Sequence, residues 1–168
     1  MMASDGWPWF ALRVRSNFEH VTAASLSGKG YDPFLPTYHV RRRWSDRTKQ
    51  ADCPLFPGYV FCRFNISDRL PVLICPGVVN VVSFGGQPAV IDDSEIVAVQ
   101  RLLASNVDLR PCAYLRVGRS VLIEDGPLRG LEGIVIEQKN SFRLVVSVTM
   151  LQRSVSAEVE RDWLRPLR

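Results

Sequence analysis

The 168-residue sequence is poor in the residues that usually carry metal or covalent chemistry, with 4 cysteines and 2 histidines. Its cysteines form neither a CxxC pair nor a zinc-ligand spacing, and we expect them to be reduced and structural: Cys53, Cys62, Cys75 and Cys112. A glycine-rich phosphate loop and a paired carboxylate pattern are also missing. The sequence therefore predicts a protein that is not an enzyme and that uses no metal and no cofactor.

Long hydrophobic runs are missing as well. No apolar stretch reaches the roughly 18 residues that a membrane helix needs. The opening "MMASDGWPWFALRV" has an acid where a signal peptide has a base. With 46% hydrophobic and 23% charged residues, the composition is that of a soluble globular protein. We expect a cytoplasmic protein with no membrane contact.

Lysine is scarce, because 18 of the 21 basic residues are arginine, and the net charge is +4. Arginine makes bidentate contacts with phosphates and carboxylates, so this bias favours a polyanionic or acidic protein partner. Charge that merely keeps the surface soluble explains the same count. Composition alone leaves both interpretations open.

Strands and helices alternate over the first 100 residues or so. The pattern predicts a strand in "WFALRVR", a helix capped by Ser16 or Asn17, and an extended segment in "YDPFLPTYHVRRR". Glu19 lies at a capping-box spacing from Ser16. A strand in "CPLFPGYVFCRF" contains Pro57-Gly58, and a short helix follows in "SDRLPVLICPGV". The clearest helix is "DDSEIVAVQRLLAS". This order predicts an α+β fold in which helices pack on a small antiparallel sheet.

The character of the sequence changes after this helix. Residues 107–113 lack periodicity and are interpreted as a linker. From Val117 onward, four or five short alternating strands are separated by turn residues, and no helix is predicted. This spacing is typical of a small β-barrel. We predict an N-terminal domain over 7–106, a linker over 107–113 and a barrel over 114–168.

The stretch "GRSVLIEDGPLRGLEGIVIE", residues 118–137, places four glycines around two alternating strands. It closely resembles the KOW motif of small SH3-like barrels. The earlier segments "WFALRV", "FLPTY", "PLFPGYVF" and "PGVVNVVSFGG" occur in the order of a NusG-type N-terminal domain. Taken together, the chain resembles the NusG family of transcription elongation factors over residues 9–167. The resemblance implies an N-terminal α/β sandwich linked to a C-terminal SH3-like barrel.

The resemblance also implies a docking surface for RNA polymerase. In that family, aromatic positions beside the Pro-Gly form a hydrophobic depression that receives the clamp helices. The matching residues are Phe56, Pro57 and Tyr59, with Trp9 and Phe10 at the border of the depression. Aromatic anchors in a pocket provide most of the energy of a small interface. The alternative is that the rings belong to the core, which suits Trp9 and is as good an interpretation for Phe56.

A basic segment, "RRRWSDRTK", lies between two predicted strands and is expected at an exposed hairpin tip. Bases interleaved with an aromatic ring suit single-stranded nucleic acid, because charges follow phosphates while the ring stacks on a base. The resemblance implies upstream or non-template DNA as the partner. A solvated loop is the alternative. The candidate nucleic-acid-binding residues are Arg13, Arg15, Arg41, Arg42, Arg43, Trp44, Arg47, Lys49 and Arg69.

A hairpin in the barrel, "SVTMLQRSVSAEV", matches the segment with which the family binds ribosomal protein NusE or the termination factor Rho. Met150 and Leu151 are expected as an exposed apolar pair, with Arg153 beside them. Gln152 stands where the family usually has glycine, and the apolar pair departs from the common aromatic residue. These departures favour NusE over Rho.

Function is therefore predicted as transcription elongation and antitermination without chemistry of its own. The motifs look most like a specialised paralog that is restricted to particular operons. The alternatives are a housekeeping NusG protein and a KOW-type RNA-binding or ribosome-associated protein. We expect a monomer.

Overall fold

The computed structural model describes residues 6–44, 47–114, 118–138 and 140–167, while the side chains of residues 41–49 and 138 lie outside the described part. The chain forms two compact units, Met1–Asp93 and Ser94–Arg168. The first unit therefore ends at the first residue of the third α-helix, and the rest of that helix is grouped with the second unit. The domain boundaries derived from the sequence, at 106 and 114, stay a prediction.

The first unit contains nine strands and two α-helices in its described residues. In chain order they are β1 (Trp9–Val14), α1 (Glu19–Gly28), β2 (Pro33–Phe34), β3 (Thr37–Trp44), β4 (Arg47–Pro54), β5 (Tyr59–Arg63), α2 (Leu70–Leu73), β6 (Val78–Val81), β7 (Ser83–Phe84), β8 (Gln87–Pro88) and β9 (Val90–Ile91). A 3-10 helix, Ile66–Asp68, precedes α2. The predicted β-α-β order of this half is confirmed.

The main sheet of the first unit has the order β2-β5-β1-β6, and β9 also pairs with β1. Strand β1 pairs antiparallel with β5, β6 and β9. Because side chains alternate along a strand, β1 presents Phe10, Leu12 and Val14 to one face. These residues form one core cluster with Leu26 of α1, Val72 of α2 and residues of β5 and β6. Burial of this face fixes the register of the sheet.

Two hairpins extend from this sheet. Residues 37–54 form the β3–β4 hairpin, in which Thr37 pairs with Pro54 and Trp44 pairs with Arg47. The polar stretch after Trp44 was expected at a hairpin tip or in a loop; it belongs to a hairpin, and because most of it is strand β4, the hairpin is longer than the sequence suggested. The short β7–β8 hairpin turns at Gly85-Gly86, where both glycines have a positive φ.

The second unit contains α3 (Asp93–Ala104, with Asp93 at the end of the first unit) and the strands β10 (Leu109–Ala113), β11 (Arg119–Ile123), β12 (Glu132–Gln138), β13 (Ser141–Val148), β14 (Arg153–Val159) and β15 (Leu164–Pro166). The strands form one antiparallel sheet in the order β10-β14-β13-β12-β11-β15. The helix predicted in "DDSEIVAVQRLLAS" is present as α3, and its apolar residues Ile96, Val99 and Leu102, at helical spacing, are buried. The mixed α/β fold with a β-rich C-terminal part is confirmed.

The segment that was interpreted as a linker contains a strand. Residues 109–113 pair with β14 from Leu109↔Ala157 to Ala113↔Arg153. The strand is at the edge of the sheet, and Arg110, Pro111 and Ala113 are exposed, so it shows no hydrophobic alternation. Pro111 is tolerated there because an edge strand leaves some N–H groups unpaired.

A buried arginine fastens this edge strand to its neighbours. Arg143, only 6% exposed, donates from Nε to Ser156 Oγ at 2.9 Å and from Nη1 to Asp108 Oδ2 at 3.2 Å. Its Nη2 donates to the carbonyl oxygens of Asp108 and Ser156, each at 3.1 Å. A buried charge needs such partners. Asp108, the residue before β10, is thereby held against β13 and β14.

Close packing explains why the KOW-like stretch has glycine at position 133. A Cβ at this position would lie 2.7 Å from Leu144 Cδ1 and 2.9 Å from the carbonyl oxygen of Val145. Gly133 therefore lets β12 approach β13 closely. The preceding turn closes through the Gly130 N–H, which donates to the Ile123 carbonyl at 2.7 Å.

Candidate functional site

The residues Phe56, Pro57, Gly58 and Tyr59 form a β-turn that leads directly into β5. The Tyr59 N–H donates to the Phe56 carbonyl at 3.1 Å, and Gly58 has φ = 86°. A proline at the second position and a positive φ at the third define a type II turn, which requires glycine or asparagine at that third position. The Pro-Gly pair thus lies before β5, and the expectation that it lies within the strand is wrong.

Two hydrogen bonds hold this turn against β1 and α1. The Val14 N–H donates to the Gly58 carbonyl at 2.8 Å. The Gly58 N–H donates to Glu19 Oε1 at 3.0 Å, and Glu19 is only 6% exposed. The predicted capping box from Ser16 to Glu19 is wrong, because α1 has no side-chain cap and the Glu19 carboxylate binds the turn. The sequence spacing gave no sign of this tertiary partner.

Three of the five predicted docking residues lie in the core. Phe56 is 1% exposed and contacts Phe61 edge-on, with 5.4 Å between ring centroids. Phe10 is 2% exposed and packs on Phe64, while Trp9 is 6% exposed. A buried ring shapes the surface above it but offers little area of its own to a partner. The structure thus places these rings in the core, the alternative that the sequence left open.

The other two docking candidates are accessible. Pro57 is exposed and Tyr59 is half-buried. In the sheet, Arg13 is paired with Tyr59 on β5 and with Asn80 on β6. Residues directly opposite each other share a sheet face. Arg13 and Asn80 are exposed. We call Pro57, Tyr59, Arg13 and Asn80 the Tyr59 surface; it combines a half-buried aromatic residue, an exposed proline and polar neighbours.

The predicted nucleic-acid-binding residues fall into two sets. Those of the basic segment lie on the β3–β4 hairpin, where Arg42 is the Cα partner of Lys49, but their side chains lie outside the described part. The described ones, Arg13, Arg15 and Arg69, are all exposed. Arg13 therefore belongs both to the basic set and to the Tyr59 surface.

The predicted partner-binding hairpin of the barrel turns through a 3-10 helix, Thr149–Leu151. Met150 is 37% exposed and Arg153 is exposed, whereas Leu151 is only 7% exposed. The expected exposed apolar pair is wrong, because one of its members points into the protein. Glu95 Oε1 accepts from the Thr149 N–H at 3.2 Å and from Thr149 Oγ1 at 2.7 Å, which holds the turn in place.

The cysteine side chains are free thiols, and Cys62 and Cys75 are buried in the core cluster of the first unit. Burial, aided by the charges of Asp32 and Cys75, raises the pKa of Cys62 to about 12. Within the residues that the structure describes, no group of three or more histidine, cysteine or acidic residues is arranged to hold a metal ion. None of the described helices has the length and apolar character to cross a membrane.

Comparison with known proteins identifies the class. Residues 8–100 match the family model described as transcription termination factor nusG, which is more than half of the chain. The chain therefore belongs to the NusG family of transcription factors. Its relatives in that family include the transcription termination/antitermination proteins NusG of Vibrio vulnificus, 29% identical over 90% of this chain and 91% of that protein, and of Escherichia coli K12, 26% identical over 90% and 92%. The Pseudomonas aeruginosa protein is 28% identical over 88% and 86%.

A solved structure supports the fold. NusG of Thermotoga maritima aligns with a TM-score of 0.58 and 21% sequence identity, covering 99% of this chain and 100% of that chain. The likeness therefore extends over both units of the chain and is a likeness of fold.

Proposed function

We propose that this protein binds RNA polymerase at the clamp helices and thereby promotes processive elongation and antitermination in the cytoplasm, as a specialised NusG paralog restricted to particular operons. Such a role needs no chemistry, since preferential binding to one polymerase conformation is enough to favour it. Membership of the family supports the transcription role. The observation that supports this docking site is the Tyr59 surface.

The architecture of the Tyr59 surface suits a small protein interface. Tyr59 follows a turn that two hydrogen bonds hold, through the Val14 N–H and the Glu19 carboxylate. A rigid aromatic anchor loses little conformational entropy on binding. Phe56, buried beneath the turn against Phe61, acts by positioning Pro57 and Tyr59.

Nucleic acid is the second partner in this proposal. Arg13 and Arg15 are exposed near the end of β1, and the Arg15 N–H donates to the Gly77 carbonyl at 2.8 Å. Together with the basic β3–β4 hairpin and Arg69, they would contact the phosphates of upstream or non-template DNA. The barrel tip at Met150 and Arg153 would bind NusE, with Rho as the alternative, and the protein would act as a monomer.

Polymerase affinity tests the docking site. We would measure binding of core RNA polymerase to the wild type and to Tyr59→Ala, a change of one half-buried side chain that leaves Phe56 in place. We expect affinity to fall roughly tenfold or more, as for an aromatic hot spot. Phe84→Ala is the matched control, because Phe84 is 79% exposed on the β7–β8 hairpin. If both variants lose the same affinity for polymerase, or if neither loses any, the Tyr59 surface is not part of the interface.

The housekeeping role is the second candidate, and its support is the length of the alignment with the relatives. The termination/antitermination proteins NusG align along about nine-tenths of this chain. A housekeeping protein would stimulate Rho-dependent termination on unrelated templates in a purified transcription assay. A specialised paralog would leave that termination unchanged. If the protein bound structured RNA but not polymerase, the KOW-type RNA-binding alternative would replace both roles.

A further inference from the structure

A cavity of about 160 Å³ opens on the first unit and is lined by Trp7, Gly30, Tyr31, Arg63, Phe64, Asn65 and Asp68. For comparison, a cavity of about 150 Å³ accommodates benzene. Arg13, Tyr59 and the other members of the Tyr59 surface are not among the lining residues. We call this cavity the Trp7 pocket; of its aromatic lining residues, Phe64 is buried and Trp7 is 43% exposed. It therefore has room for a planar ring and aromatic surfaces to hold one.

The polar groups of the Trp7 pocket are held by local structure. Asn65 Oδ1 accepts from the Ser67 N–H at 3.0 Å, so the donor left on Asn65 is its amide nitrogen. The Asp68 N–H donates to the Asn65 carbonyl at 3.0 Å, which fixes these two residues relative to each other. Within the described residues, Asp68 forms no salt bridge, so its carboxylate keeps its full capacity to accept hydrogen bonds.

The Arg63 guanidinium beside them is only partly engaged, because its Nε is buried and has no hydrogen-bond partner among the described residues. Arg63 Nη2 lies 3.4 Å from Asp93 Oδ2, and the guanidinium carbon lies 4.8 Å from the centre of the Trp9 ring. Burial and the nearby Asp68 carboxylate raise the pKa of Tyr31, so its hydroxyl stays protonated. The Trp7 pocket thus offers aromatic faces, a carboxylate outside any salt bridge of the described residues, an amide donor and the unpartnered Arg63 Nε–H, which suits an acceptor such as a base oxygen.

We propose that the Trp7 pocket binds a guanine base. Guanine alone among the common bases presents two adjacent donors, N1–H and the 2-amino group, which match the two oxygens of the Asp68 carboxylate. Its O6 accepts, as the Asn65 amide requires. Adenine, cytosine and thymine each place an acceptor next to the donor on that edge, which the carboxylate repels. Stacking on aromatic side chains and hydrogen bonding to the Watson–Crick edge are how proteins read an unstacked base.

Nucleosides test the chemistry without polymerase, so the result is independent of the docking proposal. Guanosine is titrated into the ¹⁵N-labelled full-length protein, and the Trp7 indole N–H signal, assigned with Trp7→Phe, reports binding. We expect guanosine to bind roughly tenfold more tightly than inosine, which lacks the 2-amino group, or adenosine. Equal binding of the three nucleosides, or no shift of the Trp7 signal with guanosine, would overturn the proposal.

Asp68→Asn gives a sharper test, because an amide nitrogen donates where the carboxylate accepted. The variant should lose roughly tenfold in affinity for guanosine and gain affinity for xanthosine, whose 2-oxo group accepts a hydrogen bond. Asp32→Asn is the control, because Asp32 is exposed near Tyr31 but does not line the pocket. Unchanged guanosine affinity in Asp68→Asn, or the same loss in Asp32→Asn, would overturn the assignment. A folded Trp7→Ala variant should also lose guanosine binding.

Guanine reaches such a pocket either in a free nucleotide or in a single strand, and two further titrations distinguish these sources. An oligothymidine with one central deoxyguanosine is compared with the same oligomer without it and with GMP. If the single strand is the source, only the guanine-containing oligomer binds more tightly than guanosine. If a free nucleotide is the source, GMP does. Either result supports a guanine site, whereas tight binding of the pure oligothymidine at the Trp7 signal would contradict it.

Discussion

The backbone N–H of Gly58 donates a 3.0 Å hydrogen bond to the buried carboxylate of Glu19, 39 residues earlier in the chain. This bond connects the first residue of α1 to the turn that precedes β5. Because Tyr59 follows Gly58 immediately, the bond also fixes the start of the strand that carries Tyr59. The proposed docking surface therefore depends on a side chain that is itself 6% exposed and out of reach of a partner.

Replacement of Glu19 should destabilise the fold. Glu19→Ala leaves the Gly58 N–H unsatisfied in a partly buried site, and we expect the free energy of unfolding to fall by about 1–3 kcal/mol. Glu19→Gln keeps an acceptor oxygen and should lose less. Urea denaturation of both variants measures the difference. If Glu19→Gln and Glu19→Ala lower the free energy of unfolding equally, Glu19 does not stabilise the fold through its hydrogen bond to Gly58.

Gly58 should resist substitution because of its backbone conformation. At φ = 86°, an added Cβ would have only the Val14 carbonyl oxygen nearby, at 3.8 Å, so the cost is in the dihedral angle and not in a clash. Gly58→Ala should lower stability by about 1–2 kcal/mol, and Gly58→Asn by less, since asparagine tolerates a positive φ. Thermal unfolding provides the comparison. Equal tolerance of alanine and asparagine would argue against a type II turn in solution.

The barrel tip allows surface and core roles to be separated with neighbouring residues. Leu151→Ala should cost about 2 kcal/mol or more because the side chain is buried. Met150→Ala should change stability by no more than about 0.5 kcal/mol and instead weaken binding of NusE. Chemical denaturation and a binding titration are run on both variants. A stable Met150→Ala variant with unchanged NusE affinity would remove Met150 from the proposed partner site.

Edge strand β10 should separate from β14 more often when the side chain of Asp108 is removed. Asp108 Oδ2 accepts from Arg143 Nη1 at 3.2 Å and forms an ion pair with Arg110, whose Nε lies 3.0 Å away. Asp108→Ala should therefore accelerate hydrogen exchange of the amides that join β10 to β14, while the β12–β13 amides stay protected. Uniform acceleration over the whole sheet would show that Asp108 supports global stability and not this edge.

The Cys62 thiol should give the fold a dependence on alkaline pH. Its pKa is about 12 in the folded protein, above the ordinary value of 9.0, chiefly because the group is buried. Between these values the unfolded chain loses the proton and the folded chain keeps it, so stability is intact below pH 9 and declines as the pH rises towards 12. Cys62→Ala should show a smaller decline over that range. Urea denaturation at a series of pH values measures the stability of both proteins. If the stability of the wild type and of Cys62→Ala declines equally between pH 9 and 12, this explanation is wrong.

The elements that were predicted well are those whose apolar residues are buried in a recognisable pattern. Strand β1 is apolar and buried at every position except Arg13, and α3 carries Ile96, Val99 and Leu102 at helical spacing. Strand β10 was missed because an edge strand with Pro111 and exposed neighbours shows no alternation. The KOW-like glycines were informative since Gly133 meets a steric requirement between two strands.

Site residues were harder to predict because their burial depends on distant parts of the chain. Phe56 and Tyr59 flank the same Pro-Gly pair, yet Phe56 packs against Phe61 while Tyr59 remains accessible. Glu19 has a capping-box spacing, but its carboxylate accepts a hydrogen bond from the Gly58 N–H and does not cap α1. The Trp7 pocket was not predicted either, because Trp7, Tyr31 and Asp68 come from three separate segments.

The most direct test of the proposed docking is a crosslink from the Tyr59 surface itself. The photoreactive residue p-benzoylphenylalanine, placed at position 59, keeps an aromatic ring at the start of β5, and the same residue at position 84 is the control. After irradiation with core RNA polymerase, mass spectrometry identifies the attachment site. Our proposal predicts crosslinks from position 59 to the tip of the clamp helices and none there from position 84. Crosslinks from position 59 to another part of the polymerase, or none while binding is intact, would contradict it.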